Sequence, residues 1–314
     1  MPSLSNTTSP IFLLTGVPGL EVFHIWISIP YFCLCTVALL GNAMIMYVVI
    51  TKQSLHEPMY YFLSMLSATD LGITVSSLPS TIGVLWFNAR KITLDCCIVQ
   101  MFFLHGFTLM ESSVLLAMAF DRFVAICQPL RYTTILTNSR IAKAGLAIFV
   151  RMFINLMPLL LLLKRLSFCG TNILSHSYCY HPDVIKQSCT NTKINSIVGL
   201  LALIMTSGID IPCIVLSYVL IIKSLLSIAS PEERYKAFST CISHIGAVAI
   251  FYIPWIILAL VHRFGHNSPP YVHVLLSNLH FLFPPVLNPV IYSVKTKQIY
   301  RIILKLFRIN GSRV

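Results

Sequence analysis

Apolar residues crowd into seven windows of this chain, read approximately as 24–50, 60–87, 97–126, 141–163, 196–223, 237–262 and 271–294, with polar stretches between them. A bilayer core of about 30 Å needs about 20 apolar residues per helical span. Each window reaches that length, so the pattern predicts an all-α membrane protein, a bundle of seven transmembrane helices. Prolines fall inside the windows at Pro79, Pro158, Pro212, Pro254 and Pro289. They would break soluble helices, but a membrane bundle tolerates them because neighbouring groups re-satisfy the freed carbonyls. After the seventh window, "KTKQIYRIILKLFRI" sets Ile299, Ile302, Ile303, Leu306 and Phe307 among cations. That spacing predicts a short amphipathic helix lying on the inner membrane face.

Composition agrees. Of 314 residues 56% are hydrophobic and 10% charged, with a mean hydropathy of +0.81. A soluble domain carries about a quarter of its residues charged. The formal net charge of +12 would suit nucleic acid if it formed one soluble face. It does not: fourteen of the 22 Lys and Arg lie in segments assigned to the cytosol, among them Arg131, Arg140, Lys143 and six between Lys295 and Arg313. This is the positive-inside bias, with added attraction to anionic lipids of the inner leaflet.

Residues 1–23 contain no Lys or Arg. The stretch "IFLLTGVPGL" is too short and too broken to be a cleavable signal. The expected organisation is an extracellular tail over 1–23, the seven-helix domain over 24–294, and a cytosolic amphipathic helix and tail over 295–314. In that topology the sequon at Asn6 is usable for glycosylation and Asn310-Gly311-Ser312 is not.

Charges inside apolar windows are costly and point to function with a partner in the bundle. Asp70 and Glu111 fall mid-window, and Asp121-Arg122 closes the third. Asp70 and Glu111 can share a sodium ion with Ser112 or Asn288 nearby, or form a protonated, hydrogen-bonded pair. Asp121-Arg122 reads on physics alone as an interfacial ion pair reaching the headgroups. Cys33, Cys35, Cys213 and Cys241 lie in windows, and Cys127 is cytosolic. Five cysteines remain outside, Cys96, Cys97, Cys169, Cys179 and Cys189. Extracellular thiols oxidise, so two bridges and one spare thiol are expected, with the pairing open.

Four stretches, in order and at fitting intervals, carry a family resemblance: "LHEPMYYFLSMLSATDLG", "MAFDRFVAICQPLRY", "KAFSTCISH" at 236–244 and "PPVLNPVIY" at 284–292. Together with Asn42 in "GNAMI" they resemble the rhodopsin-like G protein-coupled receptors in their odorant-receptor form. The long-loop stretch "FCGTNILSHSYCYHPDVIKQSC" and "VHRFGH" resemble the fish-like, class I group. The resemblance implies an odorant receptor acting through a stimulatory olfactory G protein and cyclic AMP, at the plasma membrane, with its N-terminus outside. It implies bridges Cys97–Cys179 and Cys169–Cys189. It makes Arg122 the switch, held by Asp121 at rest, with Tyr218 and Tyr292 as its partners when active. Tyr132 joins it on the loop that meets the G protein, Tyr252 stands where many such receptors have tryptophan, and His244, Asn288 and Pro289 belong to the remaining motifs. Phe123 departs from the commoner tyrosine and removes a hydroxyl.

The ligand is expected between the third, fifth, sixth and seventh helices, under the long loop. His105 lies about 12 Å below Cys97, with Leu104 beside it and Thr108 and Leu109 on its face. His181, two residues past Cys179, hangs into the mouth or faces solvent. Ile204, Ile253, Leu258 and Ala259 are expected as apolar walls. Arg263, at the outer end of the sixth helix, suits a small carboxylate bound bidentately, or a headgroup. Lys164, Arg165, Lys186 and Lys193 read as solvated loop charges. No HExxH motif is present, so neither an enzyme, a metal nor a cofactor is expected. A transporter would carry internal repeats, and none is visible. A sensor of metabolite acids outside olfaction would use the same chemistry.

Overall fold

The computed structural model describes residues 9–228, 230–264, 269–295 and 297–311. Seven long helices form the bundle: α1 His24–Thr51, α2 Pro58–Phe87, α3 Leu94–Cys127, α5 Asn138–Leu163, α7 Lys193–Leu226, α8 Pro231–Phe264 and α9 Pro270–Lys295. Short helices α4 Tyr132–Ile135 and α6 His181–Lys186 lie in the connections, and α10 Lys297–Gly311 follows the bundle. Local chemistry sets several ends. The hydroxyls of Thr93 and Thr137 accept the free amides of Cys96 and Arg140, capping α3 and α5. Pro58 starts α2 where no amide partner is needed, and Asn88 stops it in a left-handed conformation, φ 51°.

By length and hydropathy, five helices qualify to cross a membrane among the described residues: α1, α5, α7, α8 and α9. The other two, α2 and α3, are as long. Their polar side chains turn inward: Thr69, Asp70, Thr74, Ser77, Thr81, Glu111, Ser112 and Ser113 are all buried. These two helices carry much of the buried polar centre of the bundle.

Helix α9 is closed against α1 by two linked features. Pro289 has no amide hydrogen, so the carbonyl of Pro285, four residues earlier, loses its helical partner. Asn42 replaces it: its Nδ2 donates to the Pro285 carbonyl at 2.8 Å and to that of Ala38 at 2.9 Å. Gly41 permits the approach, since a Cβ there would sit 2.9 Å from Pro289.

On the extracellular side the tail is folded onto the loops. Strand β1 Ile11–Leu14 lies between β2 Lys91–Thr93, antiparallel, and β3 Ile173–Leu174, parallel. Phe12 and Leu14 are buried beneath this sheet, with Phe12 edge-on to Phe168 at 5.2 Å. Both bridges implied by the resemblance form, Cys97–Cys179 and Cys169–Cys189, with Cα separations of 5.4 and 5.8 Å. Cys96 is exposed and unbridged. Asn6 lies outside the described residues.

Candidate functional site

A cavity of about 340 Å³ opens beneath the long loop. Its roof is fixed by covalent and polar ties. Cys179 is bridged to Cys97 at the top of α3, and its amide donates to Gln100 Oε1 at 2.9 Å. Gln100 is held in turn by Ser80 Oγ and the Ser76 carbonyl of α2. From that anchor the chain lays Tyr180 and His181 over the cavity. Farther along the roof His176 Nδ1 meets Asp183 Oδ2 at 2.5 Å, both side chains nearly buried. Burial pushes the Asp183 carboxyl up, but the His176 hydrogen bond and charge, with Lys186, outweigh it and hold it below its ordinary value.

The walls are apolar, with Leu109, Leu156, Leu160, Trp255 and Leu258 among them. Four histidines line the space, His105, His181, His262 and His280. His105 packs 5.9 Å from both Tyr180 and Phe281. Its Nε2 and that of His181 have no hydrogen-bond partner. Burial holds the His181 imidazole down to about 4, below its ordinary 6.5, against a hydrogen bond to the Leu159 backbone, and nearby His262 adds to the lowering. No Asp or Glu lines the cavity among the described residues. A site with imidazoles and no acid offers no counter-charge to an ammonium group and so favours ligands carrying oxygen over amines.

Of the side chains the sequence nominated, His105, Thr108, His181, Leu258 and Ala259 do share this cavity. Leu104 does not. It is fully buried one face away, among Ile73, Tyr178 and Phe281. Ile204 and Ile253 are corrected outright: they are 50% and 56% exposed, on outward faces of α7 and α8. Reading a helix face without its neighbours left their direction free, and their helices turn them away. Lys186 needs the opposite correction, since it borders the cavity from α6 rather than only facing water. Arg263 belongs to the last turn of α8, but its side chain lies outside the described residues.

Beneath the cavity runs a polar chain that the sequence reading missed. Arg151 of α5 meets Asp210 of α7 at 2.8 Å, and Asp210 is fully buried. Ser112 donates to Asp210 Oδ2 at 2.6 Å, which leaves its oxygen to accept the Tyr252 hydroxyl at 2.8 Å. Arg151 also donates to Ser113 Oγ and the Met205 carbonyl. Four helices are thereby tied through one ion pair whose acid is fully buried. The signal was available: opposite charges inside two apolar windows call for each other. Lower and to the side, Asn288 Nδ2 donates to Asp70 at 3.1 Å and approaches Glu111 Oε1 at 3.4 Å. The two acids that the sequence singled out thus meet across one amide.

At the cytosolic end Arg122 Nε lies 3.9 Å from Asp121 Oδ2. The other oxygen of Asp121 accepts the Tyr132 hydroxyl at 2.7 Å. Tyr132 therefore holds the acid that holds the arginine. Tyr218 is engaged elsewhere. His244 Nε2 faces the Leu115 carbonyl at 3.1 Å and so carries the proton, leaving Nδ1 to accept the Tyr218 hydroxyl at 2.6 Å. The buried Tyr292 hydroxyl has no partner. Neither tyrosine hydroxyl is bonded to Arg122.

Known proteins give this geometry a family. The family model described as Olfactory receptor matches residues 31–309. Olfactory receptor 51F1 of Homo sapiens is 64% identical over 308 residues, covering 98% of this chain and 97% of that one. Olfactory receptor 51E2 of Rattus norvegicus is 48% identical, covering 98% and 96%. Squid rhodopsin shares the fold at 18% identity, with a TM-score of 0.76 over 93% of this chain and 87% of its own. The chain belongs to the olfactory receptor family, multi-pass membrane receptors that take a small molecule and signal through a G protein.

Proposed function

We propose that this receptor binds a small odorant, a short-chain carboxylic acid, in the cavity under the loop, and activates a heterotrimeric stimulatory olfactory G protein to raise cyclic AMP. The observation that carries the reading is the cavity's chemistry: four histidines and Lys186 on its wall, and no acid among the described residues. Such acids titrate near the carboxylates of Asp and Glu, at about 4, so they arrive ionised at neutral pH. An ionised carboxylate enters an apolar slot only with a charged partner. Arg263 supplies that partner from the outer end of α8, its planar fork matching the carboxylate, with His105 or His181 adding a hydrogen bond.

Asp121 and Tyr132 restrain Arg122 at the cytosolic end, where the receptor opens toward the G protein. Asp70 and Glu111, joined by Asn288, offer a place for sodium. The N-terminus lies outside with glycan on Asn6, and α10 rests on the inner leaflet against its lipids.

The test compares matched acid and alcohol ligands on wild type, Arg263→Ala and Arg263→Lys in a cyclic AMP reporter. A hydrogen bond to a charged partner is worth about 1.5–3 kcal/mol, so Arg263→Ala should lower acid potency about ten- to a hundred-fold. The alcohol should lose far less. Arg263→Lys restores charge without the fork and should rescue in part. Equal losses for both ligands would leave Arg263 a headgroup anchor. Arg122→Ala should abolish signalling at unchanged surface expression. Full signalling from that variant would remove Arg122 from the switch.

A further inference from the structure

Asn195 sits in the first turn of α7, where the long loop enters the helix. It is 4% exposed and borders the cavity. Its Nδ2 has no hydrogen-bond partner. Buried polar groups are almost always paired, and an unpaired one needs a reason. A leucine would fill nearly the same volume with no donor to desolvate. Thr192 and Ser196, its neighbours along the chain, and Lys186 of α6 border the same end of the space. That end is polar, while Leu109, Leu156 and Trp255 make other parts of the wall apolar.

We propose that Asn195 Nδ2 donates a hydrogen bond to an oxygen of the bound odorant, which makes Asn195 a specificity residue. It selects molecules with an acceptor oxygen at the loop-side end and an apolar chain beyond it: acids, esters and ketones rather than amines or hydrocarbons. An amine would bring donors to an end that already holds donors at Asn195 and Lys186. The volume fits this class, since about 340 Å³ lies at the small end of the usual range for ligand sites. The inference rests on the cavity being the odorant site and says which side chain reads the odorant's oxygen.

The experiment uses the full-length receptor and four probes of one chain length: octanoic acid, methyl octanoate, octylamine and octane. Activation by each is measured for wild type, Asn195→Leu, Asn195→Asp and the cavity-filling Ala259→Trp. The unfolding temperature of the purified, ligand-free receptor is measured beside it. Asn195→Leu should raise that temperature, because it removes an unpaired buried donor. It should also lower the potency of the acid and the ester about tenfold and leave octane unchanged. Asn195→Asp turns the donor into a charged acceptor and should weaken the acid more than the ester. A lower unfolding temperature in Asn195→Leu would mean that the amide holds the fold, and would overturn the inference even if no probe activates. Loss of response in Ala259→Trp with unchanged potencies in Asn195→Leu would overturn this inference alone. Unchanged responses in Ala259→Trp would instead sink the cavity as the odorant site.

Discussion

Two buried polar regions lie one above the other in this bundle, and they are built in opposite ways. In the lower one, Arg151, Asp210, Ser112 and Tyr252 answer each other at 2.6–2.8 Å. In the upper one, His105 Nε2, His181 Nε2 and Asn195 Nδ2 face a cavity with no partner. Burial penalises an unmatched polar group in either place. The protein meets that requirement itself below and leaves it open above. The satisfied groups below tie the helices together, and the unsatisfied ones above border the open space.

The comparison breaks most visibly at Asp210. Asp210→Ala would leave the partly buried Arg151 guanidinium, 26% exposed, without its counter-charge. Losing one member of a buried pair costs about 3–5 kcal/mol, a large part of a protein's stability. Surface expression should collapse and the unfolding temperature fall steeply. The double variant Arg151→Met with Asp210→Leu removes both charges and should recover much of the loss, because well-packed apolar pairs often replace buried ion pairs at little cost. Wild-type stability in Asp210→Ala would show that the lower region is not the self-satisfied one.

A smaller effect is expected at the middle of the chain. Ser112→Ala strands the Tyr252 hydroxyl and one oxygen of Asp210, at about 1–3 kcal/mol for an unpaired buried group. Adding Tyr252→Phe removes one of the stranded groups, so the pair of changes should cost less than the sum of the two alone. Strict additivity would mean that the hydroxyls act independently. No such coupling is expected between Asn195→Leu and either of them, since no hydrogen bond joins Asn195 Nδ2 to this chain.

Much of this was legible in the sequence, and the reason differs by level. Windows of apolar residues gave seven helices whose ends fall within three residues of those observed, except that α8 starts six residues earlier, because a bilayer fixes span length. Charges at Asp70, Glu111 and Asp121-Arg122 pointed to polar centres because a bilayer penalises them wherever they lie. Pairing was harder to read. Arg151 and Asp210 stand in windows far apart in the chain, and only the packing of α5 beside α7 brings them together. Helix rotation was harder still. Ile204 and Ile253 have the composition of a pocket wall, yet apolar side chains suit lipid as well as a cavity, so residue type does not give their direction. Asn195 drew no notice for a similar reason: an asparagine at the start of a helix ordinarily belongs to its cap.

The gentlest way to sharpen the comparison is acid. His181 belongs to the unsatisfied region, and burial holds its imidazole down to about 4 from an ordinary 6.5, with His262 adding to the effect. Between those two values the unfolded chain binds a proton at this position and the folded chain does not. Stability contributed here is therefore lost progressively as pH falls from 6.5 toward 4, and no further below it. Asp183, in the same roof but paired to His176, behaves differently. Its carboxyl is held below its ordinary 3.8, so its contribution is intact above that value and is lost only in stronger acid. Unfolding temperatures of wild type and His181→Gln, taken from pH 7.5 to pH 4, isolate the first effect, because the other histidines are common to both. The two proteins should run parallel above pH 6.5, and the wild type should fall away from the variant below it. An odorant that hydrogen-bonds His181 in its neutral form should steepen that fall, since protonation would then also dislodge the ligand. Parallel curves down to pH 4 would mean that His181 already sits in water, and the roof would lose its place among the regions waiting for a guest.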